Sequence, residues 1–288
     1  MQSIPYQAPR SVDEAVALLG ADAEARVLAG GTDLLVQVRM GQREPSSWVD
    51  VKRIPDLMCL EVGSDDVRIG AATPAAQIFE HAEFKRRFPG VAEATDLIGS
   101  AQIQGRATLG GNLCNASPAA DTTPVLMAVG ARCVIAGPGG EREIPVEELA
   151  AAPGQTTLQR GELLVAVRIP NPQPRSSDAY LRLIPRSEMD IAVVGAGVAL
   201  SLAEDGTCSA ARVAIGAVAP TALLVPEAAA ALVGSRIDDA ALAAVAQAAS
   251  AAARPIDDKR GTVDYRKKVV GVLAKRAAAI AAQRAQES

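Results

Sequence analysis

Two glycine-paired segments hold most of the polar groups in this chain that could grip a ligand. The first, LAGGTD, sets Leu28, Ala29, Gly30, Gly31, Thr32 and Asp33 between a strand pattern, RVLAG, and a helix pattern, LLVQVRMG. Glycines without a Cβ let successive backbone amides turn toward one concavity, and a helix starting there adds unsatisfied N–H groups and a positive dipole end. That chemistry binds an anion and suits a pyrophosphate. The second segment, TLGGNLCNASPAADTTP, runs from Thr108 to Pro124 and gathers Gly110, Gly111, Asn112, Asn115, Ser117 and Asp121 behind Thr108. Its glycines allow close approach, its hydroxyls and amides offer hydrogen bonds, and Asp121 can accept from a ribose hydroxyl or cap the helix TTPVLMAV. Neither segment contains a lysine or arginine. An extended ligand whose central negative charge is neutralised by amides is expected, and a dinucleotide fits that description.

Other chemistries have little to build on. GAG at Gly195–Gly197 lacks the third glycine of a dinucleotide fingerprint, with Leu200 in its place, and continues as a strand. A glycine pair in a central strand against which a helix packs closely is the simpler account. No glycine loop is followed by Lys and Ser or Thr, so there is no Walker sequence. His81 is the sole histidine and reads as a surface-helix residue; one imidazole builds neither a metal site nor a Ser-His-Asp triad. Cys59, Cys114, Cys133 and Cys208 lack the close pairing of iron–sulfur or zinc ligands and read as plain buried or half-buried thiols. No metal site is expected.

The elements that must position the two segments are legible in outline. Residues 1–57 read as a small α/β unit: Ser11 and Glu14 form a capping box, Gly20 stops the helix, Thr32 or Asp33 caps a second helix ending at Gly41, and WVDV adds a strand. Residues 58–175 begin with the hairpin CLEVGSDDVRIGAAT. A single helix over TPAAQIFEHAEFKRRF, capped by Thr73, comes next, then a helix over VAEATDLIGS, the second segment as a loop and a short helix stopped by Gly130. The hairpin ARCVIAGPGGEREIPVEEL and the strand ELLVAVRIP close this part, and NPQPRSSD is the linker. Residues 176–288 hold two long strand patterns turning at Glu204-Asp205-Gly206, then alanine-rich helices, which predicts an antiparallel sheet backed by helices.

With 288 residues, 49% hydrophobic and 22% charged, the chain should bury a core divided into two or three subdomains. A net charge of -4 and the absence of basic clusters argue against nucleic acid. The amino terminus lacks the basic start and apolar stretch of a signal peptide, and no apolar run reaches the roughly 20 residues of a membrane span. A cytoplasmic protein without membrane partners is expected.

LAGGTDLL, then ATLGGNLCNASPAADTTPVLMA, then YLRLIPRSEMDIAVVGAG together resemble the FAD-binding medium subunit of the molybdenum hydroxylases, the family of xanthine dehydrogenase and carbon monoxide dehydrogenase. The resemblance covers essentially the whole chain. It implies an α+β fold: a two-subdomain FAD-binding domain of the vanillyl-alcohol oxidase/PCMH type, followed by a carboxy-terminal α+β domain. It also implies FAD in the groove between the parts, with its pyrophosphate on the amides of Ala29 to Asp33 and its ribityl, ribose and flavin contacts on the second segment. In the family, a molybdopterin-binding large subunit hydroxylates the substrate and a small subunit carries two 2Fe-2S clusters. The medium subunit would pass their electrons to a terminal acceptor, whether NAD, oxygen or a carrier. A self-contained FAD-dependent oxidoreductase of related fold and a redox-inactive nucleotide-binding module are the alternatives.

Three departures from the family pattern stand out. Gln104 and Gly105 replace an Arg-Asn pair, with Arg106 as a substitute contact; Arg182 stands where a lysine near the flavin is usual; and no cysteine-rich insertion is present, which argues against a 4-hydroxybenzoyl-CoA reductase type.

Overall fold

The computed structural model describes residues 4–288, and three hydrophobic cores follow one another along the chain. The first lies in a unit of β1 (Tyr6–Gln7), α1 (Val12–Ala21), β2 (Arg26–Leu28), α2 (Leu34–Arg39) and β3 (Trp48–Asp50), of which α1, β2 and β3 supply core residues. Its sheet runs β1-β3-β2 with both pairings parallel. Helix α1 turns Ala15, Val16 and Leu19 inward, one face of a 3.6-residue period. Ser11 Oγ accepts the Glu14 N–H at 3.2 Å, but the Glu14 carboxylate reaches one residue beyond the expected box, to the Arg10 N–H at 2.9 Å. The helix also runs through Gly20 to Ala21. Helix α2 buries none of its residues, and Gly41 ends its turn at φ 70°.

The second core starts with the hairpin β4 (Leu60–Val62) and β5 (Asp66–Gly70). Six short helices follow: α3 (Ala75–Phe79), α4 (Ala82–Arg87), α5 (Pro89–Asp96), α6 (Ala101–Gln104), α7 (Leu109–Cys114) and α8 (Thr122–Ala128). The hairpin β6 (Arg132–Gly137) and β7 (Gly140–Pro145), the small pair β8 (Ala150–Ala152) and β9 (Gln155–Thr156), and β10 (Leu163–Pro170) complete it. Five of these strands form an antiparallel sheet ordered β4-β5-β10-β6-β7. Strand β10 serves two cores. Leu163 and Val165 face the first and Leu164 the second; a register shift between Leu164 and Ala166 then turns Val167 and Ile169 to the second. Ordinary alternation lets one strand serve two cores, and the bulge exchanges which positions face each of them.

Two expectations fail here for local reasons. The helix expected over residues 73–88 is broken, because His81 sits in extended conformation and its Nδ1 accepts the Phe84 N–H at 3.2 Å, starting α4 anew. His81 is therefore a helix cap. Thr73 caps nothing; its hydroxyl donates to the Cys59 carbonyl at 2.8 Å. The segment expected as a loop contains α7, capped by Thr108, whose Oγ1 accepts the Gly111 N–H at 3.0 Å.

The third core lies between a sheet ordered β11 (Ser176–Leu183), β12 (Val194–Leu202), β13 (Cys208–Gly216) and β14 (Leu223–Leu224) and the helices α9 (Pro226–Leu232), α10 (Asp239–Ala252) and α11 (Val263–Glu287). All neighbouring strands are antiparallel, as expected. Strand β11 takes its first residues from the expected linker, which shortens to residues 171–175. Ala274, Ala277, Ala278, Ala281 and Ala285 of α11 are fully buried, so the alanine bias makes a flat stripe on which sheet and helix approach closely. The other side of this sheet meets α8. A Cβ on Gly197 would lie 2.6 Å from the Val125 backbone, and the close helix approach read from GAG is thereby confirmed. Among the described residues, no helix is long and apolar enough to cross a membrane.

Candidate functional site

A cavity of about 520 Å³ lies where the first two cores meet, within the range of small-molecule sites. Ala29, Gly30, Gly31, Thr32 and Asp33 line one wall; Thr108, Gly110, Gly111, Asn112 and Asn115 line another. The fold thus brings the two glycine-paired segments together. Leu28, Ser117, Asp121 and Arg182 do not line the cavity.

The two walls differ chemically. In the first, parallel β2 delivers the chain to a turn that becomes the amino end of α2, and the amides of Gly30, Gly31, Thr32, Asp33 and Leu34 donate to no described residue. Gly31 has φ 76°, a backbone conformation that side chains resist. Neither Thr32 nor Asp33 caps the helix with its side chain, so the orphan donors stay open toward a ligand. In the second wall the equivalent amides are already used: Gly110 N–H donates to the Ala71 carbonyl at 3.0 Å and Gly111 N–H to Thr108. Gly110 is required because a Cβ there would meet Ala71 at 2.5–2.8 Å. The unpartnered amides therefore belong to the first segment alone, and the second presents side-chain groups. Gln37 of α2 donates to Asn115 Oδ1 at 2.9 Å across the cavity, and Asn112 Oδ1 accepts from Thr122 at 2.7 Å, leaving both asparagine NH₂ groups without a partner among the described residues.

Other charged groups reach the cavity from outside both segments. Arg26, Arg43 and Arg160 line it, each also tying a wall: Arg26 to the Ala23 carbonyl at 2.8 Å, Arg43 to Gly154 at 3.2 Å and Arg160 to Gly20 at 3.2 Å. Nothing local in the sequence marks them, since each is one cation in a mixed surface stretch brought in by folding. Partial desolvation beside the cavity pushes the Asp33 carboxyl above its ordinary range. Cys114 also lines the cavity, but burial pushes its thiol up to about 12, so it is no thiolate nucleophile.

The remaining expected residues form a second layer. Asp121 stands at the cap position of α8 but makes no capping bond. One oxygen accepts from Tyr180 Oη at 2.9 Å and the other from Arg182 Nη1 at 2.6 Å, in a pair whose side chains are 11% and 6% exposed. Burial pushes Asp121 up to about 6 against the pull of Arg182, leaving it largely ionised at neutral pH. Ser117 accepts the Ala119 N–H at 3.2 Å, and Leu28 lies under the turn beside Gly31. Arg106 contributes its backbone instead of its side chain: its carbonyl abuts Gly30, while buried Gln104 donates to the Asp96 carbonyl.

This geometry gives a prediction for Gly31→Val. The new side chain would press on Leu28 and Leu35, 3.1 Å away, and not enter the cavity, while its backbone would be held at a strained φ. Relief at a cost of about 1–3 kcal/mol tilts the turn and disperses its amides. We expect the variant to keep its fold by circular dichroism and to lose ligand retention; stoichiometric binding would show that the turn is not the cradle.

Comparison with known proteins agrees over the whole length. Residues 2–172 match the family described as the FAD binding domain in molybdopterin dehydrogenase, and residues 179–281 match the CO dehydrogenase flavoprotein C-terminal domain. The chain is 35% identical to the carbon monoxide dehydrogenase medium chain of Hydrogenophaga pseudoflava, covering 94% of each. It is 32% identical to the 6-hydroxypseudooxynicotine dehydrogenase complex subunit alpha of Paenarthrobacter nicotinovorans, covering 99% of this chain and 96% of that one. Among solved structures, it superposes with a TM-score of 0.93, at 35% identity and 98% coverage of both chains, on carbon monoxide dehydrogenase from Hydrogenophaga pseudoflava lacking the Mo-pyranopterin moiety of its cofactor.

Proposed function

The chain belongs to the FAD-binding medium-subunit family of the molybdenum hydroxylases, and from that premise we propose that it is the electron-transfer subunit of a three-part complex. It takes electrons from the 2Fe-2S clusters of a small subunit, which receives them from a molybdopterin-binding large subunit, and passes them to a terminal acceptor. The observation that carries this reading is the run of five unpartnered amides, Gly30 to Leu34, at the start of α2 in a cavity between two subdomains. They fit the pyrophosphate of FAD without a cation in the turn itself. Ala29 to Asp33 would hold the pyrophosphate, with Leu28 supporting the turn from below. Thr108, Gly110, Gly111, Asn112 and Asn115 would flank the rest, and Ser117, Asp121 and Arg182 would brace the segment from behind. Bound FAD supplies chemistry in one- or two-electron steps. The protein's own groups orient it, and no buried thiolate or histidine in the cavity competes for the reaction.

The three cores support a division into residues 1–57, 58–175 and 176–288, with β10 shared by the first two. The test is the isolated chain loaded with FAD. Dithionite should bleach it, whereas purines, aldehydes and N-heterocycles should leave it oxidised in stopped-flow mixing, and the chain from its native host should bring molybdenum and iron with it. Rapid bleaching by any of those substrates without another subunit would replace this reading with a self-contained flavoenzyme.

A further inference from the structure

Next to the amide turn, a chain of polar contacts made by Tyr6, Asp50 and Lys52, whose side chains do not line the cavity, crosses all three strands of the first sheet. Tyr6 of β1 donates its hydroxyl to Asp50 Oδ2 of β3. Asp50 Oδ1 accepts from the Lys52 backbone at 3.0 Å and from Lys52 Nζ at 2.7 Å. Lys52 Nζ then donates to the Ala29 carbonyl at 2.8 Å, just past the end of β2. These contacts hold the Asp50 carboxyl below its usual range despite burial, so it is a fixed anion. An exposed Lys–Asp pair two residues apart would be worth little. This one is partly buried, and the ammonium is engaged on the carbonyl immediately before Gly30.

We propose that Lys52 is a positioning residue for FAD, acting through the Ala29–Gly30 peptide; the proposal rests on the FAD reading above. A trans peptide is planar, and its C=O and N–H point in opposite directions. Holding the Ala29 oxygen on the Lys52 ammonium therefore aims the Gly30 N–H the other way and starts the series of amides that continues to Leu34. The ammonium also lies one peptide away from the turn, where its charge is partly screened by Asp50 yet still favours an anion at the turn. Asp50 and Tyr6 fix where Lys52 stands, and parallel pairing of Leu28 with Asp50 keeps the two strand ends level. Two effects follow from one contact: direction of a dipole, and a background positive charge for a site whose own turn has none.

The experiment compares FAD dissociation constants of the apo-protein in wild type, Lys52→Met, Lys52→Gln and Lys52→Arg, by quenching of flavin fluorescence, at low and high salt. Lys52→Met should weaken FAD about tenfold or more at low salt, the effect of losing one hydrogen bond from a charged donor. Lys52→Arg should return to within about threefold of wild type, and Lys52→Gln, which can still donate to Ala29, should fall between. The gap between wild type and Lys52→Met should narrow at high salt, because a charge contribution is screened. Unchanged affinity in Lys52→Met, or a salt-independent loss that Lys52→Arg does not recover, would overturn the proposal. Should Lys52→Met fail to fold, Lys52→Gln carries the test alone: native affinity at low salt, or a loss that persists at high salt, overturns it. Wild-type protein that binds no FAD would instead refute the family reading itself, which separates the two failures.

Discussion

Gly30→Ala should release FAD and lower the melting temperature of the apo-protein in the same step. A methyl group there would land on the Arg106 carbonyl oxygen, with the carbonyl carbon at 2.7 Å and the Ala107 Cα at 3.1 Å. All three are backbone atoms of the stretch leading into Thr108, so no side chain can swing aside to make room. The cavity walls must separate, which places this variant among overpacked cores at about 3 kcal/mol. For a 288-residue chain that corresponds to a fall of about 5 °C. A ligand bridging both walls would have to draw them back against the same resistance, so its dissociation constant should rise about 100-fold. Differential scanning calorimetry of the apo-protein and an FAD titration check both effects. If Gly30→Ala melts and binds like wild type, the two segments are not in contact in solution and the cavity is misplaced.

The contrast with Gly31 shows what could be read from the residues alone. Both glycines stand out as a pair between a strand and a helix, where a run of unpartnered amides lies. Their reasons for being glycine differ and are invisible locally: Gly31 answers to its own φ, while Gly30 answers to a backbone 76 residues away in the chain. The same holds for the second pair. Gly110 and Gly111 look like a second cradle because glycine, asparagine and threonine are what cradles use, yet Thr108 caps a helix there and spends the amides internally. Capping and ligand binding call on the same residue types, so composition does not separate them.

Strand patterns were legible in the hairpins of the second core, where β5 alternates half-buried and buried residues over its first four positions. They were weaker where both faces are covered. Strand β11 reads SSDAYLRL, with a charged pair and two serines, because Asp178 accepts the Val91 N–H at 2.9 Å and Arg182 faces Asp121. Buried polar residues with distant partners erase the alternation that marks a strand, and the linker was drawn across its start. The break at His81 was missed for a related reason: an imidazole that accepts a backbone N–H acts as a cap, a role seldom assigned to histidine. Lys52 and the three cavity arginines gave no local signal, because folding brings each of them from its own stretch to the turn or the cavity.

Asp121→Ala tests the residue for which the sequence offered two roles and the structure supplies a third. Its carboxylate neither caps α8 nor lines the cavity; it closes a buried pair with Arg182 and accepts from Tyr180, tying the end of the ligand segment to β11 of the third core. Removing it leaves a guanidinium that is 6% exposed without its counter-charge and a buried phenol without an acceptor. Breaking such a pair costs about 3–5 kcal/mol, so melting should fall by about 5–8 °C. The fall should be the same with and without FAD, because the pair braces the fold and stands outside the cavity lining. Replacing both charges behaves differently: Asp121→Ala combined with Arg182→Met removes the stranded cation and should recover most of the loss, since the desolvation penalty disappears along with the attraction. A double variant no more stable than Asp121→Ala would mean the pair is not buried as described. A single variant that melts normally as apo-protein but loses its FAD stabilisation would return Asp121 to the cofactor's side.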